Sequence, residues 1–283
     1  MDVAHIHLDY SNQREFNVAC FSDLHLTAKD ANKPLCKKHL DEAAALGARM
    51  NFNGDIAELI VPSDRKRYSR GQDSCDHDAH LNDETERVYA FLAPYVDFID
   101  TLGEGNHEVT TLKYHHYDLV RGVITLLNKD RAKSLAPIHH GGYKGFIRYW
   151  FRHGKNRSTR HYDIFKFHGK GGAAAVTKGV IDFNRIRTTY RADAYWMAHK
   201  HTGVTDPYMV EIGLNTAGDI GSRRQIAFFT PGYKLPFEQK DYNDHGYEIN
   251  FSDETFLTAN ANGYGLLKLD LTNAEIHAEL VQK

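Results

Sequence analysis

The chain has 283 residues, a formal net charge of −2, 41% hydrophobic and 25% charged residues, values close to ordinary water-soluble domains that exclude a disordered, collagen-like or membrane-embedded polypeptide. The opening "MDVAHIHLDYSNQREF" lacks a basic start followed by an apolar core, no apolar run spans a bilayer, and Cys20, Cys36 and Cys75 follow no paired spacing, so the expected setting is the cytoplasm, without export, membrane or disulfide framework. The 18 histidines are scattered rather than gathered in a tag, and imidazole is a frequent ligand of transition metals.

In chain order, residues 2–9 predict an edge-like segment, and "NVACFSD" a strand ending at Asp23. "KPLCKKHLDEAAALGA" has helical periodicity, and "RMNFNGD" is a short run ending in Gly54 and Asp55. Strand, polar turn, helix, strand, polar turn implies a parallel βαβ unit with its turns at the carboxyl ends of the strands. Residues 62–80 have no apolar period and are long for a connection. A helix is predicted over about 83–95, a strand within "VDFIDTLGEGNHE", and one long helix over "EVTTLKYHHYDLVRGVITLLNK". "YKGFIRYWFRH" and "HYDIFKFHG" read as a hairpin at about 142–168, "AAAVTKGVIDFNRIRTTY" as a helix, and "ADAYWMAHKH" as a strand ending in two histidines. From about residue 205 the chain predicts short strands and turns. The whole, residues 1–283, is expected to form one α/β domain.

Five polar strand ends stand in order: Asp23 with His25, Asp55, Asn106 with His107, His168, and His199 with His201. Open α/β sheets place their sites at such ends. Carboxylates, imidazoles and a carboxamide oxygen form a mixed N/O donor set suited to borderline divalent metals. One ion uses three or four protein ligands, so the set offers enough for two.

"SDLHL", "NGDIAEL", "GEGNHE", "FKFHGKGG" and "MAHKHTG" resemble, in order, the five motifs of the calcineurin-like metallophosphoesterases, D-x-H, G-D, G-N-H-[DE], H and G-H-x-H. Ala198 replaces the glycine before the paired histidines, and Glu58 stands where many relatives carry Asp or Asn. His168 is preferred to His139, His140, His153 and His161 for the fourth motif because it ends an alternating strand and is followed by glycine. The resemblance implies a four-layer αββα sandwich of two mixed sheets flanked by helices. It implies that Asp23, His25 and His201 bind one divalent ion, that Asn106, His168 and His199 bind another, and that Asp55 bridges them. Manganese is the first expectation, with Fe, Zn, Ni or Co as alternatives. A metal-bridging hydroxide would attack phosphorus, while His107 stabilises charge or protonates the leaving oxygen and Glu108 holds its ring.

Other chemistry is excluded. "HEVTT" has Thr111 where a zinc-peptidase helix needs its second histidine, and neither a phosphate-binding glycine loop nor a G-x-S-x-G elbow occurs. His5 and His7 read as exposed alternation on an edge strand, and His115 and His116 as a solvated helix face.

Between Lys144 and Lys170 eight cationic residues face Asp163 alone, which leaves −9 for the rest of the chain. Interleaved aromatics suit a single-stranded polyanion, so Arg148 and Arg152, with Arg65 and Arg67 of the 62–80 segment, are the expected substrate contacts. Alternation also fits a half-buried hairpin with Ile147, Tyr149 and Phe151 inward and a solvated cationic side. The expected function is a phosphodiesterase, with DNA or RNA as candidate substrate and a nuclease as the specific form. The alternatives are a phosphomonoesterase for a small molecule or phosphoprotein, and a non-catalytic nucleic-acid-binding module with a structural metal site.

Overall fold

The computed structural model describes residues 1–10, 13–60, 80–153, 156–172, 177, 179–214, 218–235, 262–273 and 275–283. Its elements are β1 (Asp2–Asp9), β2 (Glu15–Phe21), α1 (Lys33–Ala45), β3 (Arg49–Phe52), α2 (His80–Leu92), β4 (Ile99–Gly103), α3 (Asn106–His115), α4 (Leu119–Asp130), β5 (His139–Gly142), β6 (Lys144–His153), β7 (Asn156–Phe167), α5 (Val180–Thr189), β8 (Ala194–Met197), β9 (Thr205–Leu214), β10 (Ile220–Phe229), β11 (Gly265–Asp270) and β12 (His277–Gln282). One sheet has the order β1-β6-β7-β8-β10-β9 and the other β12-β11-β2-β3-β4-β5. Both are mixed: β2, β3, β4 and β5 run parallel beside antiparallel β11 and β12, and parallel β7-β8-β10 is flanked by antiparallel β6 and β9.

Alternation along each central strand separates three apolar layers. Val18 and Cys20 of β2, Ile147, Tyr149 and Phe151 of β6, Trp196 of β8 and Phe228 of β10 pack together between the sheets. Ala19 and Phe21 of β2 turn the other way, onto Leu40, Val88, Val123 and Leu127 of α1, α2 and α4. Tyr195, Met197 and Phe229 face outward from the other sheet against Phe183 and Ile186 of α5. Helices, sheet, sheet and helix therefore form the four-layer αββα sandwich that the resemblance implies. Strands buried on both faces read as continuous apolar runs, which is why the segment "NVACF" shows no polar alternation.

Two helix expectations are corrected. The long helix over 108–129 is two: His116 takes a left-handed φ of 54° that closes α3, and the Asp118 carboxylate accepts from the Arg121 N–H at 2.9 Å to start α4. A side chain that competes for backbone N–H groups in this way marks a helix start rather than a helix interior. Of the helix expected over 173–190, Val180–Thr189 forms α5 after Gly179 with φ 92°, positions 177 and 179 are turn, and 173–176 and 178 lie outside the described residues. Among the described residues no helix is long and apolar enough to cross a membrane. The 62–79 part of the expected loop, with Arg65 and Arg67, lies outside the described residues.

Candidate metal centre

Each expected ligand follows directly on a strand end: Asp23 and His25 after β2, Asp55 after β3, Asn106 after β4, His168 after β7, His199 and His201 after β8. Two of those strands belong to one sheet and three to the other, so the centre lies where both sheets share an edge. Backbone hydrogen bonds lock the loops together, with the Asp23 N–H donating to the Gly54 carbonyl at 3.0 Å and the His25 N–H to that of Asp55 at 3.0 Å. A Cβ on Gly54 would lie 2.2 Å from the Gly105 nitrogen, and one on Gly105 would lie 2.1 Å from Asp55 Oδ1. The glycines of G-D and G-N-H thus answer one need, the close approach of two backbones.

The chain holds this edge in an unusual conformation. Among the described residues seven non-glycine residues have left-handed φ, and five of them are Asp23, His25, Asp55, His199 and His201, at 51°, 45°, 49°, 72° and 47°. Asp and His tolerate this region better than most, yet each instance still costs about 1 kcal/mol. Backbone strain concentrated on the candidate ligands argues that their direction is what the fold retains.

The side chains converge as two triads, Asp23 with His25 and His201, and Asp55 with His168 and His199, each offering ligand atoms within 4.8 Å of one another. Asp55 stands between them, its Oδ2 3.1 Å from His168 Nε2 and 4.0 Å from His25 Nε2. Asn106 Oδ1 lies 3.2 Å from the same His168 nitrogen, which joins the carboxamide to the second triad. Asp23 is fixed by the His199 N–H, which donates to both its oxygens at 3.1 and 3.2 Å, and by the Ser22 hydroxyl at 2.5 Å.

These residues fit cations. His168 Nδ1 lies 2.6 Å from the Asn53 carbonyl, which can only accept, so one ring proton sits there and Nε2 faces Asp55 Oδ2 and Asn106 Oδ1 at 3.1 and 3.2 Å. A second proton or a metal cation at Nε2 satisfies that arrangement. Among the described residues His25 Nε2 is buried without a hydrogen-bond partner, as an imidazole aimed at a metal would be. Burial is the largest influence on His168 and lowers its pKa, but the charge and hydrogen bond of Asp55 outweigh it and raise the ring to about 9. Burial also tends to raise Asp55, whose carboxyl is nevertheless held well below the carboxylate range by His168, His107 and His25. Burial lowers His199, with the His168 charge adding to it, and pushes His201 down to about 4. Both rings are therefore neutral near pH 7, the form that ligates.

Of the expected catalytic pair, His107 is at the edge, its N–H donating to Asp55 Oδ1 at 3.0 Å and its ring 5.0 Å from that of His25. Glu108 corrects the expectation. Its carboxylate accepts from the N–H groups of Gly105, Asp55 and Ile56 at 2.8, 3.0 and 2.7 Å and of Ala57 at 3.3 Å, so it staples the Asp55 loop to the start of α3. The His107 ring is held instead by Nδ1 donating to the Glu58 carbonyl.

Arg148 and Arg152 stand back along the hairpin from the candidate ligands. They lie in register with Asp163 and Thr159, five and nine residues before His168, about 17 and 30 Å along an extended strand. Arg148 is clamped on Asp163 by two 2.7 Å bonds and lies over Trp150. Lys166, counted among the hairpin cations, is 1% exposed between the sheets. Alternation puts the hairpin's apolar face in the core and its arginines on the outer face, and position along the strand sets them back from the metal edge. His5 and His7 are exposed on β1, which is an edge strand, as expected.

Two residues at the edge carry no role in the sequence reading. Glu58 lies three positions after Asp55, with Oε2 2.7 Å from His25 Nδ1. Lys234, 2.8 Å from Glu58 Oε1, comes from 176 residues away and follows no motif.

No protein-family model matches the chain, and no curated protein does. Among solved structures, a single mutant of Vps29 from Entamoeba histolytica aligns at 11% identity and TM-score 0.37, over 95% of this chain and 99% of that one. Wild-type Vps29 from the same organism, complexed with Zn+2, aligns at 10% and 0.32 over 94% and 99%, and GAP50, the anchor in the inner membrane complex of Plasmodium, at 10% and 0.42 over 95% and 85%. Likeness at this level carries no argument about function, which rests on the convergent side chains alone.

Proposed function

We propose that the chain is a dimetal phosphoester hydrolase acting on a phosphodiester. The observation behind the reading is the meeting of two N/O triads around the shared carboxylate of Asp55. Divalent ions bound there would supply Lewis acidity toward phosphoryl oxygens and lower the pKa of a water. The protein's part is to hold Asp23, Asp55, Asn106 and four imidazoles in place and to leave His107 facing the substrate.

His107 is suited to that place. Its Nδ1 proton is committed to the Glu58 carbonyl, so Nε2 is the working nitrogen. Burial pushes the ring below its ordinary value, against the pull of Asp55 and Glu58. An arriving phosphate brings negative charge that favours the imidazolium, so the ring gains its proton as substrate binds and returns it to the leaving oxygen. Charge supports a diester preference. Among the described residues the neighbouring lysines, Lys200 and Lys234, are paired with Asp182 and Glu58, which suits a singly charged ester better than a monoester dianion. With Arg148 and Arg152 set back along the hairpin and Arg65 and Arg67 outside the described residues, the nuclease form rests on the metal centre alone.

The test is hydrolysis of a nitrophenyl diester and a nitrophenyl monoester under Mn, Fe, Zn, Ni and Mg, with Asp55→Asn as the blank. The reading expects metal-dependent turnover, diester ahead of monoester. Two bound ions without hydrolysis of either ester would leave a structural metal site in its place.

A further inference from the structure

We propose that Glu58 and Lys234 act as positioning residues that aim His25 and so set the affinity of one of the two ions, a proposal that rests on the dimetal reading above. Glu58 meets three groups at once. Its Oε2 is 2.7 Å from His25 Nδ1, its Oε1 is 2.8 Å from Lys234 Nζ, and its carbonyl accepts from His107 Nδ1. The contact with His25 is of ion-pair length, and among the described residues neither atom has another hydrogen-bond partner. Both side chains are buried, at 2% and 6% exposure. A carboxylate on one nitrogen of an imidazole fixes the tautomer and turns the other nitrogen outward as a stronger donor, here His25 Nε2, which faces Asp55.

Two further observations place the arrangement under constraint. Leu59, 3% exposed, has φ 52°, a conformation costly for an aliphatic side chain, so the backbone is bent where it carries Glu58 into the edge. Lys234 is fixed from both sides: the Asn32 N–H donates to the Tyr233 carbonyl at 2.7 Å, the Tyr233 N–H to the Asp23 carbonyl at 2.9 Å, and the Leu235 N–H to that of Asp30 at 2.8 Å. The strand-like segment carrying Lys234 is thus pinned to the loop that carries Asp23 and His25. The ammonium offsets a carboxylate that would otherwise be buried beside Asp55 without a compensating charge. An aspartate at position 58 would be one methylene shorter, and the greater reach of glutamate lets the side chain serve His25 while the carbonyl serves His107.

The experiment is titration of chelator-stripped full-length protein with Co2+ alone, followed by visible absorption. The wild-type chain is expected to take two equivalents. Glu58→Gln should weaken one of them by about 10- to 100-fold and change its absorption band, leaving the other as in wild type. Lys234→Met should weaken the same equivalent and Lys234→Arg should restore it. Combining Glu58→Gln with His25→Gln should add less than the two losses together. Wild-type affinity and spectra for both equivalents in Glu58→Gln and Lys234→Met would overturn the proposal. Failure of the wild-type chain to bind Co2+ would overturn the dimetal reading itself. If Glu58→Gln does not give a cooperative thermal transition, Lys234→Met decides alone, since its side chain reaches the surface.

Discussion

His168 and Asp55, from different sheets and 113 positions apart, meet at 3.1 Å with the other face of the His168 ring already committed to the Asn53 carbonyl. Proton and metal therefore compete for one nitrogen. Because the metal-free ring titrates at about 9, with Asp55 overcoming the effect of burial, uptake of an ion at pH 7 must release a proton. The affinity of one ion should rise about tenfold per pH unit between pH 7 and 8.5, measured by calorimetric titration in two buffers of different ionisation heat. A flat profile without proton release would place the ion elsewhere. The sign for stability is opposite. In metal-free protein this pair stabilises the fold fully below the ordinary imidazole value of 6.5, and that contribution is lost as pH rises through about 9.

Asp55 faces both triads, so its neutralisation should be felt by both ions. Asp55→Asn keeps the shape and the acceptor for the His107 N–H at Oδ1 but removes the shared charge. Bound metal should fall below one equivalent by elemental analysis, and turnover should drop by about 10³-fold, the loss of several kcal/mol of charge stabilisation. Two retained equivalents would show that Asp55 is not shared.

Lys166 gives a pH prediction independent of metals. Its ammonium lies between the sheets, donating to the Gly142 carbonyl at 2.6 Å and to Asn53 Oδ1 at 3.4 Å. Burial lowers it to about 7, against the pull of Glu104 and Glu108. Between about 7 and 10.5 the unfolded chain holds the proton that the folded chain has released, so this group's contribution to stability rises with pH across that window. Comparison with Lys166→Met isolates it, since His168 titrates in both proteins. The difference in Tm between them should shift in favour of wild type by several degrees from pH 7 to pH 10. A constant difference would mean that Lys166 keeps its ordinary pKa.

Arg148 and Arg152 should be dispensable for turnover. The double alanine variant is expected to hydrolyse a small diester within about twofold of wild type, with the Tm lowered by the loss of the Arg148–Asp163 pair, worth about 1 kcal/mol. A fall in kcat/KM of tenfold or more would bring the hairpin back to the substrate.

How far the sequence is legible follows from what each residue depends on. Asp23, Asp55, Asn106, His168 and His199 can be placed because each follows a strand end, a local pattern of apolar run and polar turn. The left-handed turn at His116 is hidden because both flanking segments share helical periodicity. A charge count does not place Arg148, because such a count carries no direction: the alternation that puts Tyr149 in the core sends its cationic neighbours to the outer face of the sheet. Lys234 has no signal at all, since its role depends on a connection after β10 that packs against Asp23 only in three dimensions.

The glycines at the edge test whether the motifs are structural before they are chemical. Gly54 has φ 82°, and a methyl there would meet Gly105 N at 2.2 Å and the Glu104 carbonyl carbon at 2.4 Å, both backbone atoms, with the Gly105 N–H held by Glu108. Nothing flexible can yield, so Gly54→Ala must separate the Asp55 and Asn106 loops. Gly171 has a similar φ of 71° but no atom of the described residues within 4 Å of its Cβ position. Gly171→Ala should therefore cost only the conformational strain, about 1 kcal/mol, and retain both ions. Gly54→Ala should cost about 3 kcal/mol and lose metal from both triads, because Asp55 and Asn106 move apart. Thermal melts with elemental analysis of the two variants decide it, and equal behaviour would show that close approach is not what glycine provides at position 54.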